Sequence, residues 1–277
     1  MGYSGAGPKK PPDMTSLSVC IITYNEEKNL PRLLRSIEGI ADEIVIVDSG
    51  SKDRTVELAR AAEARTFQRP FRDFGDQKNF AAAQAQNDWV LSLDADEELS
   101  KELKESLRTW KTQTPQHDVY EMARRTWYLG AWIRHSRWYP DWQRKLYRRD
   151  KAKFGNGTHA TVQFNGQFAG IVGRVRGDLL HYTVGDFAEH EAKAEKYSTS
   201  LAQEMFTAGR RKWRGAMWVA TPWSWIHHYL IGAGFLDGYR GRLIARIAAK
   251  TVWLKFERLG RLVEEERQEK ELKNYSG

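Results

Sequence analysis

The feature that most constrains the fold is the alternation of short apolar runs with helix-like segments over the first hundred residues. Three of the apolar runs end in a polar residue, and they span Leu17–Thr23, Glu43–Asp48 and Trp89–Asp94. Runs this short and this apolar are typical of strands that are buried on both faces of a parallel sheet. Strands that alternate with helices pair in parallel through right-handed crossovers, so the segment predicts an α/β fold.

The polar residues at the strand ends predict where a ligand binds. Thr23, Asp48 and Asp94 each stand at the carboxyl end of a predicted strand. Because ligands of open parallel sheets bind beyond these ends, we expect the three side chains to line one crevice. A dinucleotide-binding fold is disfavoured, since the first predicted strand is followed by Tyr24-Asn25-Glu26-Glu27 and not by G-x-G-x-x-G. The chain also lacks a P-loop motif.

The D-x-D triplet at the end of the last of these strands predicts a cation site. Asp94 and Asp96 are separated by one small residue, and alternate side chains of an extended segment share a face. Two carboxylates together with phosphate oxygens suit Mg²⁺ or Mn²⁺. In the simpler alternative, Asp94 caps a following helix and Asp96 is solvated.

The segments between the strands predict three helices and one further strand. Asn29 and Pro31 favour a helix start before the leucines at helical spacing. Asp53 is expected to cap a helix over 55–64, and residues 77–86 predict another. Arg65–Gln68 is predicted to be a short strand.

Composition limits the classes of partner. The 277 residues, 41% of them hydrophobic, suffice for a substantial core, and the formal net charge of +8 favours anionic partners such as nucleotides, nucleic acid or an acidic membrane. The single cysteine, Cys20, excludes an intramolecular disulfide, fits a reducing compartment and is expected to be a packed, inert thiol. Residues 1–13 are rich in Gly, Pro and Lys and predict a disordered tail.

Three ordered motifs at the strand ends resemble those of the family 2 glycosyltransferases, inverting enzymes of the GT-A fold. They are Thr23-Tyr24-Asn25-Glu26, Val47-Asp48-Ser49-Gly50-Ser51-x-Asp53 and Leu93-Asp94-Ala95-Asp96. Two further stretches are similar to the branch that adds glucose to the heptose of the bacterial lipopolysaccharide inner core, namely Phe74-Gly75-Asp76-Gln77-Lys78-Asn79-Phe80 and Trp138-Tyr139-Pro140-Asp141. The resemblance covers Leu17 to Leu99 closely and extends weakly to the C-terminus. It implies a GT-A fold with a mostly parallel central sheet.

The resemblance implies a nucleotide pocket at the ends of the first two strands. Thr23, Asn25 and Glu26 would line it, and Asp48 would hydrogen-bond the uracil of a UDP-sugar. In the simpler alternative, Asn25 and Ser51 are only turn or cap residues.

It also implies a site for the diphosphate and its cation. Asp96 would bind the Mg²⁺ or Mn²⁺ that bridges the two phosphates, and Asp94 would contact the ribose or the metal. Lys78 and Asn79 match positions near the base or diphosphate, although Lys78 could be an exposed helix charge. Arg144 could bind phosphates of donor or acceptor.

An inverting transfer needs a base that takes the proton of the acceptor hydroxyl. The leading candidate is Asp141, where Pro140 fixes the backbone and flanking aromatic residues could bind a sugar and raise the basicity of the carboxylate by desolvation. Asp141 could instead simply pair with Arg144 or Arg137.

His159 is the alternative catalytic candidate, as a metal ligand or a diphosphate contact. In the resembling branch a glutamate usually follows this histidine, but Ala160 follows it here. That departure leaves the base unassigned and keeps a catalytically silent GT-A scaffold open. Glu97 and Glu98 are candidates to support the metal ligands.

The expected organisation is a GT-A catalytic domain over 14–185, followed by a helical, aromatic and basic region over 186–277. Within the catalytic domain, residues 14–100 form the nucleotide-binding half and 101–185 the acceptor half, with strands over 119–125 and 145–149. Between Arg214 and Asp237 the chain has aromatic residues but no Asp, Glu, Lys or Arg, and a basic helix follows. This pattern predicts contact with an anionic membrane surface, whereas ordinary helix packing or a homo-oligomer is the alternative.

These observations predict an enzyme that moves a hexose, glucose in the first instance, from a UDP-sugar to a lipid-linked saccharide such as lipopolysaccharide core. It would act in the cytoplasm, peripherally on the inner face of the bacterial cytoplasmic membrane. Transfer to a polyprenyl phosphate is the alternative within the same class. A nucleic-acid-binding protein is disfavoured, because the ordered acidic motifs do not suit one.

Overall fold

The computed structural model describes residues 14–155, 157, 160–166, 170–184 and 187–275. The predicted tail over 1–13 and His159 lie outside this set. The chain divides into two compact units: the first ends at Arg124 and resumes over Trp142–His181, and the second comprises Arg125–Asp141 and the chain from Tyr182 onwards. The segment 125–141, which the sequence assigned to the acceptor half, therefore groups with the helical region.

The first unit begins with the predicted alternation of strands and helices. Its elements are β1 (Leu17–Thr23), α1 (Leu30–Ile37), β2 (Glu43–Asp48), α2 (Thr55–Ala61), β3 (Arg65–Gln68), α3 (Phe74–Gln84) and β4 (Trp89–Asp94). The strands lie in the order β3-β2-β1-β4 and all pair in parallel. The α/β class and the three polar strand ends are thus confirmed.

Helix boundaries differ from the prediction for local reasons. Helix α3 begins at Phe74, not Gln77, because the side chain of Asp73 accepts a hydrogen bond from the backbone N–H of Asp76 at 2.9 Å and caps the helix. The cap position of α2 is Arg54 and not the predicted Asp53, although Asp53 accepts a hydrogen bond from the backbone N–H of Thr55, the first residue of the helix, at 3.0 Å. Asn29 occupies the cap position of α1, but its side chain bonds Glu26 and Arg32.

The sheet continues with strands that pair mainly in the antiparallel sense. The elements are β5 (Glu97–Leu99), α4 (Lys101–Lys111), β6 (Val119–Tyr128), β7 (Ala131–Trp132), β8 (Asp141–Arg148), β9 (Ala152–Phe154), β10 (Val162–Phe164) and β11 (Val172–Val184). Beyond β4 the order is β8-β6-β11-β5, with β7 paired to β6 and a separate β9–β10 hairpin. Strand β8 runs antiparallel to β4, and β11 runs antiparallel to β5.

Two hydrophobic clusters cover the two faces of the sheet in the first unit. Leu17, Val19 and Ile21 contribute to one cluster, and Cys20 to the other, as expected for alternate residues of a strand. Burial raises the pKa of the Cys20 thiol well above its usual range. This agrees with a packed thiol that stays protonated and unreactive.

The second unit is mainly helical and consists of α5 (Phe187–Thr207), α6 (Arg214–Ile226), a π-helical turn (His227–Ile231), a 3₁₀ turn (Gly234–Asp237) and α7 (Tyr239–Tyr275). One of its apolar clusters contains Ala202, Met217, Phe256 and Leu259 and joins α5, α6 and α7. None of the helices in the described part of the chain is both long and apolar enough to cross a membrane.

Candidate active site

A cavity of about 530 Å³ opens in the first unit, beyond the carboxyl ends of β1 and β4. This volume lies within the range of small-molecule sites in proteins, roughly 300–1,000 Å³. The predicted site residues among its lining are Thr23, Glu26, Lys78, Asp94, Asp96 and Arg144. Among the described residues, the predicted site residues Asn25, Asp48, Asn79 and Asp141 are not part of this lining.

Asp48 is fully buried at the end of β2 and anchors the loop that follows. Its Oδ1 accepts hydrogen bonds from the backbone N–H groups of Gly50 at 2.9 Å and Ser51 at 2.8 Å. Its Oδ2 accepts from the hydroxyls of Thr23, at 3.0 Å, and Ser51. The structure thus gives Asp48 a role in holding the β2 loop beside β1, and its contact with uracil stays a prediction.

The loop after β1 is fastened to the loop after β2. Asn25 has a φ of 57°, in the left-handed region that asparagine tolerates. Its backbone N–H donates to the Ser51 hydroxyl, and its side-chain oxygen accepts from the backbone N–H of Lys52, both at 2.8 Å. Asn25 therefore shapes the cavity edge through the backbone. The Glu26 side chain lines the cavity, and burial, reinforced by the charge of Asp96, raises its pKa.

Asp94, at the end of β4, is held by two buried lysines. Lys78 from α3 and Lys145 from β8 each place Nζ 2.7 Å from one carboxylate oxygen. Lys145 also lies 3.0 Å from Oε2 of the fully buried Glu97, and the same oxygen accepts from the backbone N–H of Asp94 at 2.8 Å. Glu97 thus supports Asp94 from behind. The predicted contact of Asp94 with ribose or metal stays a prediction.

The pKa shifts of this cluster follow from burial and charge. Burial opposes ionisation of Asp94, but the charges of Lys145 and Lys78 outweigh it and hold the pKa of this carboxyl well below its usual range. Burial, together with the charge of Lys145, lowers the pKa of Lys78. Burial acts in the same direction on Lys145, but the attraction of Asp94 and Glu97 outweighs it and raises its pKa.

Asp96 points to a different partner, His181 of β11. Its Oδ2 lies 3.3 Å from Nε2 of His181. Burial opposes ionisation of Asp96, but the hydrogen bond and charge of His181 outweigh it and lower the pKa of the carboxyl. The pair is held in place because β11 is in register with β5, with His181 opposite Glu97.

The donor atoms of Asp96 and His181 fit a divalent cation. Carboxylate and imidazole both suit Mn²⁺, and the carboxylate also suits Mg²⁺. Two neighbouring ligands at the ~2.1 Å radius of an octahedral shell stand roughly 3 Å apart, close to the distance of 3.3 Å seen here. Within the described ranges, however, no group of three His, Cys, Asp or Glu side chains could hold a metal alone. Phosphate oxygens and water would have to complete the shell.

Aromatic side chains form part of the cavity wall. Tyr24, Phe71, Phe74 and Trp142 line it and are each more than one third exposed. The rings of Phe71 and Phe74 meet edge to face at 5.1 Å. Exposed ring faces beside charged groups suit a ligand with a stacking base or sugar and an anionic part.

Helix α3 is hydrogen-bonded to the β9–β10 hairpin, whose residue Phe154 lines the cavity. Asn79 donates to the carbonyl oxygen of Phe154 at 2.9 Å and accepts from the backbone N–H of Phe154 at 2.8 Å. A Cβ atom on Gly75 would lie 1.9 Å from the carbonyl oxygen of Gly155, so only glycine permits this approach. The structure gives Asn79 a fastening role, and its predicted approach to base or diphosphate stays a prediction.

Of the two catalytic candidates, the structure describes only Asp141, which is not part of the cavity lining. Asp141 belongs to the second unit and immediately precedes Trp142, which lines the cavity. Its role as base stays a prediction. His159 falls outside the described residues, whereas Ala160 lines the cavity. Arg144 also lines it and donates to the carbonyl oxygen of Val162 at 3.2 Å.

Comparison of the chain with known proteins identifies the family to which it is similar. The model of the family described as "Glycosyl transferase family 2" matches residues 18–169. An uncharacterized glycosyltransferase of Rickettsia typhi is 30% identical over 259 residues, covering 90% of this chain and 88% of the relative. "Lipopolysaccharide core biosynthesis glycosyltransferase LpsC" of Rhizobium meliloti is 30% identical over 252 residues, covering 86% of this chain and 92% of the relative.

Among solved structures, S. aureus TarS 1-349 in complex with UDP-GlcNAc is similar at a TM-score of 0.46 and 15% identity, covering 92% of each chain. The family match covers more than half of the chain and includes β1, β2, β4 and their polar ends. The predicted resemblance is confirmed, and the sheet agrees with the GT-A class that it implied. The chain belongs to glycosyl transferase family 2 and is a glycosyltransferase.

Proposed function

We propose that the protein is a metal-dependent, inverting glycosyltransferase that moves a hexose, glucose in the first instance, from a UDP-sugar to a lipid-linked saccharide. The observation that carries this proposal is the meeting of Asp96 and His181 in the same cavity as the Asp94–Lys78 ion pair. A pair of cation ligands beside a cationic group is the arrangement that a nucleotide diphosphate with its metal requires.

The donor is a UDP-sugar whose diphosphate lies near Lys78 and Arg144, the cations that line the cavity beside the strand ends. The exposed rings of Tyr24, Phe71 and Phe74 supply faces on which a base or sugar can stack. Asp96 and His181 would hold Mg²⁺ or Mn²⁺. When bound, such a cation stabilises the negative charge that develops on the leaving phosphate.

The acceptor hydroxyl attacks the anomeric carbon as the bond from that carbon to the diphosphate breaks, and UDP leaves. The proton of the hydroxyl passes to a base, for which Asp141 is the candidate from the sequence. An acceptor that is a phosphate has less need of a base. Full activity of an Asp141→Asn variant would therefore favour the polyprenyl phosphate alternative.

The acceptor class is supported by the similarity to LpsC, whose name places that relative in lipopolysaccharide core biosynthesis. A lipid-linked acceptor would bring the enzyme to the inner face of the cytoplasmic membrane. Peripheral attachment would suffice there, since a bound protein needs no span to reach a headgroup.

The proposal is tested by an Asp96→Ala variant. Loss of one cation ligand should lower Mn²⁺-dependent turnover of UDP-glucose at least a hundredfold, roughly the effect of removing one preorganised charge-stabilising group. Turnover is measured as UDP release, and UDP binding is measured by calorimetry with and without Mn²⁺.

Asp88→Ala is the matched control, because Asp88 is an exposed aspartate of the same unit. It should leave turnover unchanged. Wild-type turnover in Asp96→Ala, with an unchanged unfolding curve, would contradict the metal assignment. Calorimetry of the wild type that shows no heat with UDP and Mn²⁺ would contradict the proposed donor.

A further inference from the structure

The positive charge of the protein is concentrated in one stretch of the second unit. Residues 205–256 contain nine lysines and arginines and a single acid, Asp237, which gives this stretch a formal charge of +8. That value equals the net charge of the whole chain, so the remaining residues are balanced. The one acid is buried, and its carboxylate accepts hydrogen bonds from the hydroxyl of Ser136 and the backbone N–H groups of Arg134 and His135. It therefore offsets little of the positive charge at the surface. Acids of α5 and α7 outside the stretch pair with three of its nine cations, Arg211, Arg214 and Lys250.

The same stretch exposes large apolar side chains. Eight of them are more than half exposed, and the six most exposed, which we call the apolar patch, are Trp218, Val219, Trp223, Ile231, Leu236 and Tyr239. Val219 is 71% exposed. The patch lies within 218–239, and in this range Asp237 is the only charged residue in the sequence.

Helical spacing brings part of the patch to a common surface. Val219 and Trp223 lie four residues apart on α6 and share a face, and Trp218 directly precedes Val219. The π-helical turn and the 3₁₀ turn that follow are joined by the rings of Tyr229 and Phe235, whose centroids are 6.4 Å apart. The patch thus lies on the consecutive elements α6, the π-helical turn, the 3₁₀ turn and the start of α7.

Basic side chains flank the apolar patch. Arg214 lies one turn before Trp218 on α6 and is exposed. On α7, Arg242 and Arg246 follow Tyr239 at spacings of three and seven, so the three exposed side chains share a face. Apolar and aromatic side chains bordered by exposed cations are typical of segments that lie in the headgroup region of an anionic bilayer.

We propose that the apolar patch and its flanking arginines form a docking surface for an anionic lipid bilayer. The patch enters the headgroup region, and Arg214, Arg242 and Arg246 contact lipid phosphates. The inference rests on the proposed function in one respect, since a lipid-linked acceptor explains why a glycosyltransferase would need such a surface.

Charge decides between a bilayer and a second copy of the chain. A symmetric dimer through this surface would bury the flanking arginines of both copies in one interface, and like charges across an interface are unfavourable. An anionic bilayer is complementary instead, since each Lys or Arg near its surface is attracted to the lipid headgroups.

The charge arm of the test uses the full chain and vesicles of phosphatidylglycerol or phosphatidylcholine. The wild type should co-sediment with the anionic vesicles and much less with the neutral ones, and added salt should weaken binding. The variant Arg242→Glu with Arg246→Glu should bind anionic vesicles about thirtyfold more weakly or worse. The control is Arg60→Glu with Lys101→Glu, which reverses two exposed charges of the first unit and should bind as the wild type does.

The apolar arm uses Val219→Ser with Leu236→Ser. Both side chains are largely exposed, so the fold should tolerate the change, while vesicle binding should fall about tenfold. Ile171→Ser is the matched control, because Ile171 is 76% exposed but lies in the first unit. Its vesicle binding should be unchanged.

Equal binding of the wild type to both kinds of vesicle, or wild-type binding by either patch variant, would overturn the proposal. So would a dimer in analytical ultracentrifugation that the Val219→Ser and Leu236→Ser changes dissociate, because the patch would then bind a second copy. Turnover of UDP-glucose is measured without vesicles in all variants. Lost vesicle binding with retained turnover supports the docking surface, whereas absent turnover in the wild type contradicts only the proposed reaction.

Discussion

Asp48 and Asp94 look alike in the sequence, because each is an aspartate at the end of a buried parallel strand. In the structure their carboxylates have different kinds of partner. Asp48 is surrounded by neutral donors, two of them backbone N–H groups of its own loop. Asp94 is surrounded by charge, with one lysine on each oxygen. The first aspartate shapes a loop, and the second fixes the positions of cations beside a cavity.

The difference lies in where the partners come from. The donors to Asp48 come from β1 and the loop after β2. These hydrogen bonds can therefore form as soon as β1 and β2 pair. The partner Lys145 lies 51 residues from Asp94, on a strand of opposite direction. A buried charge cluster depends on the whole sheet, whereas a loop anchor depends on two neighbouring strands.

The variant Lys145→Met tests most strongly whether the charged cluster around Asp94 differs in stability from the neutral anchor around Asp48. Lys145 is 3% exposed and pairs with two carboxylates, so its removal leaves uncompensated buried charge. The free energy of unfolding should fall by about 3–5 kcal/mol, as measured by chemical denaturation without metal. Lys151→Met, at an exposed lysine, should change it little.

A second variant keeps this prediction testable even if Lys145→Met folds poorly. Adding Glu97→Gln removes one of the two carboxylates that Lys145 neutralises, so the double variant should regain part of the lost stability. A Lys145→Met protein within about 1 kcal/mol of the wild type would show that the cluster is no more costly to disturb than an exposed ion pair.

A smaller effect is expected at the neutral anchor. Asp48→Ala leaves two backbone N–H groups and the Ser51 hydroxyl of the β2 loop, together with the Thr23 hydroxyl of β1, without their acceptor. The free energy of unfolding should fall by about 2–3 kcal/mol, because a hydrogen bond to a charged group is lost and buried donors stay unpaired. Asp88→Ala serves as the exposed control. A loss as large as that of Lys145→Met would remove the distinction between anchor and cluster.

The smallest effect should follow from Thr23→Val, which removes only the hydroxyl that donates to Asp48 at 3.0 Å. Volume and β-branching are preserved, so a loss of about 1 kcal/mol in the free energy of unfolding is expected, typical of one hydrogen bond. Thr109→Val on the exposed face of α4 provides the comparison. A loss above that of Asp48→Ala would mean that the hydroxyl has a second task in the packing of β1.

The sequence predicted the parallel half of the sheet well because its information is local. Apolar runs, helical spacing and polar strand ends are each read from a few neighbouring residues, and β1 to β4 pair in parallel as predicted. The lining residues Thr23, Glu26, Lys78, Asp94 and Asp96 were also predicted, from motifs close to these strands, and Arg144 was predicted separately as a phosphate contact.

Lys145 and His181 were missed as site residues because no local pattern marks them. Lys145 lies within a stretch predicted only as a strand, and His181 reaches Asp96 through the antiparallel pairing of β11 with β5. Strand β5 has three residues, too few to show a period. A usable signal was the histidine that follows Leu179 and Leu180 in a strand-like stretch, read together with the D-x-D triplet.

The sequence also did not predict that residues 125–141 group with the helical unit. The boundary was expected near residue 186, where the helical pattern begins. A contact such as that of His135 with the buried Asp237 joins residues about a hundred positions apart. Sequence periodicity carries no information over such distances.

The attachment of α3 to the β9 hairpin has a consequence for motion in the first unit. The paired hydrogen bonds between Asn79 and Phe154, and the close approach of Gly75 to Gly155, leave no slack between the two elements. Close-packed groups transmit displacement rather than absorb it. Phe154 and Lys78, whose Nζ lies 5.2 Å from the centre of the Phe154 ring, are therefore expected to keep their relative positions when a ligand occupies the cavity.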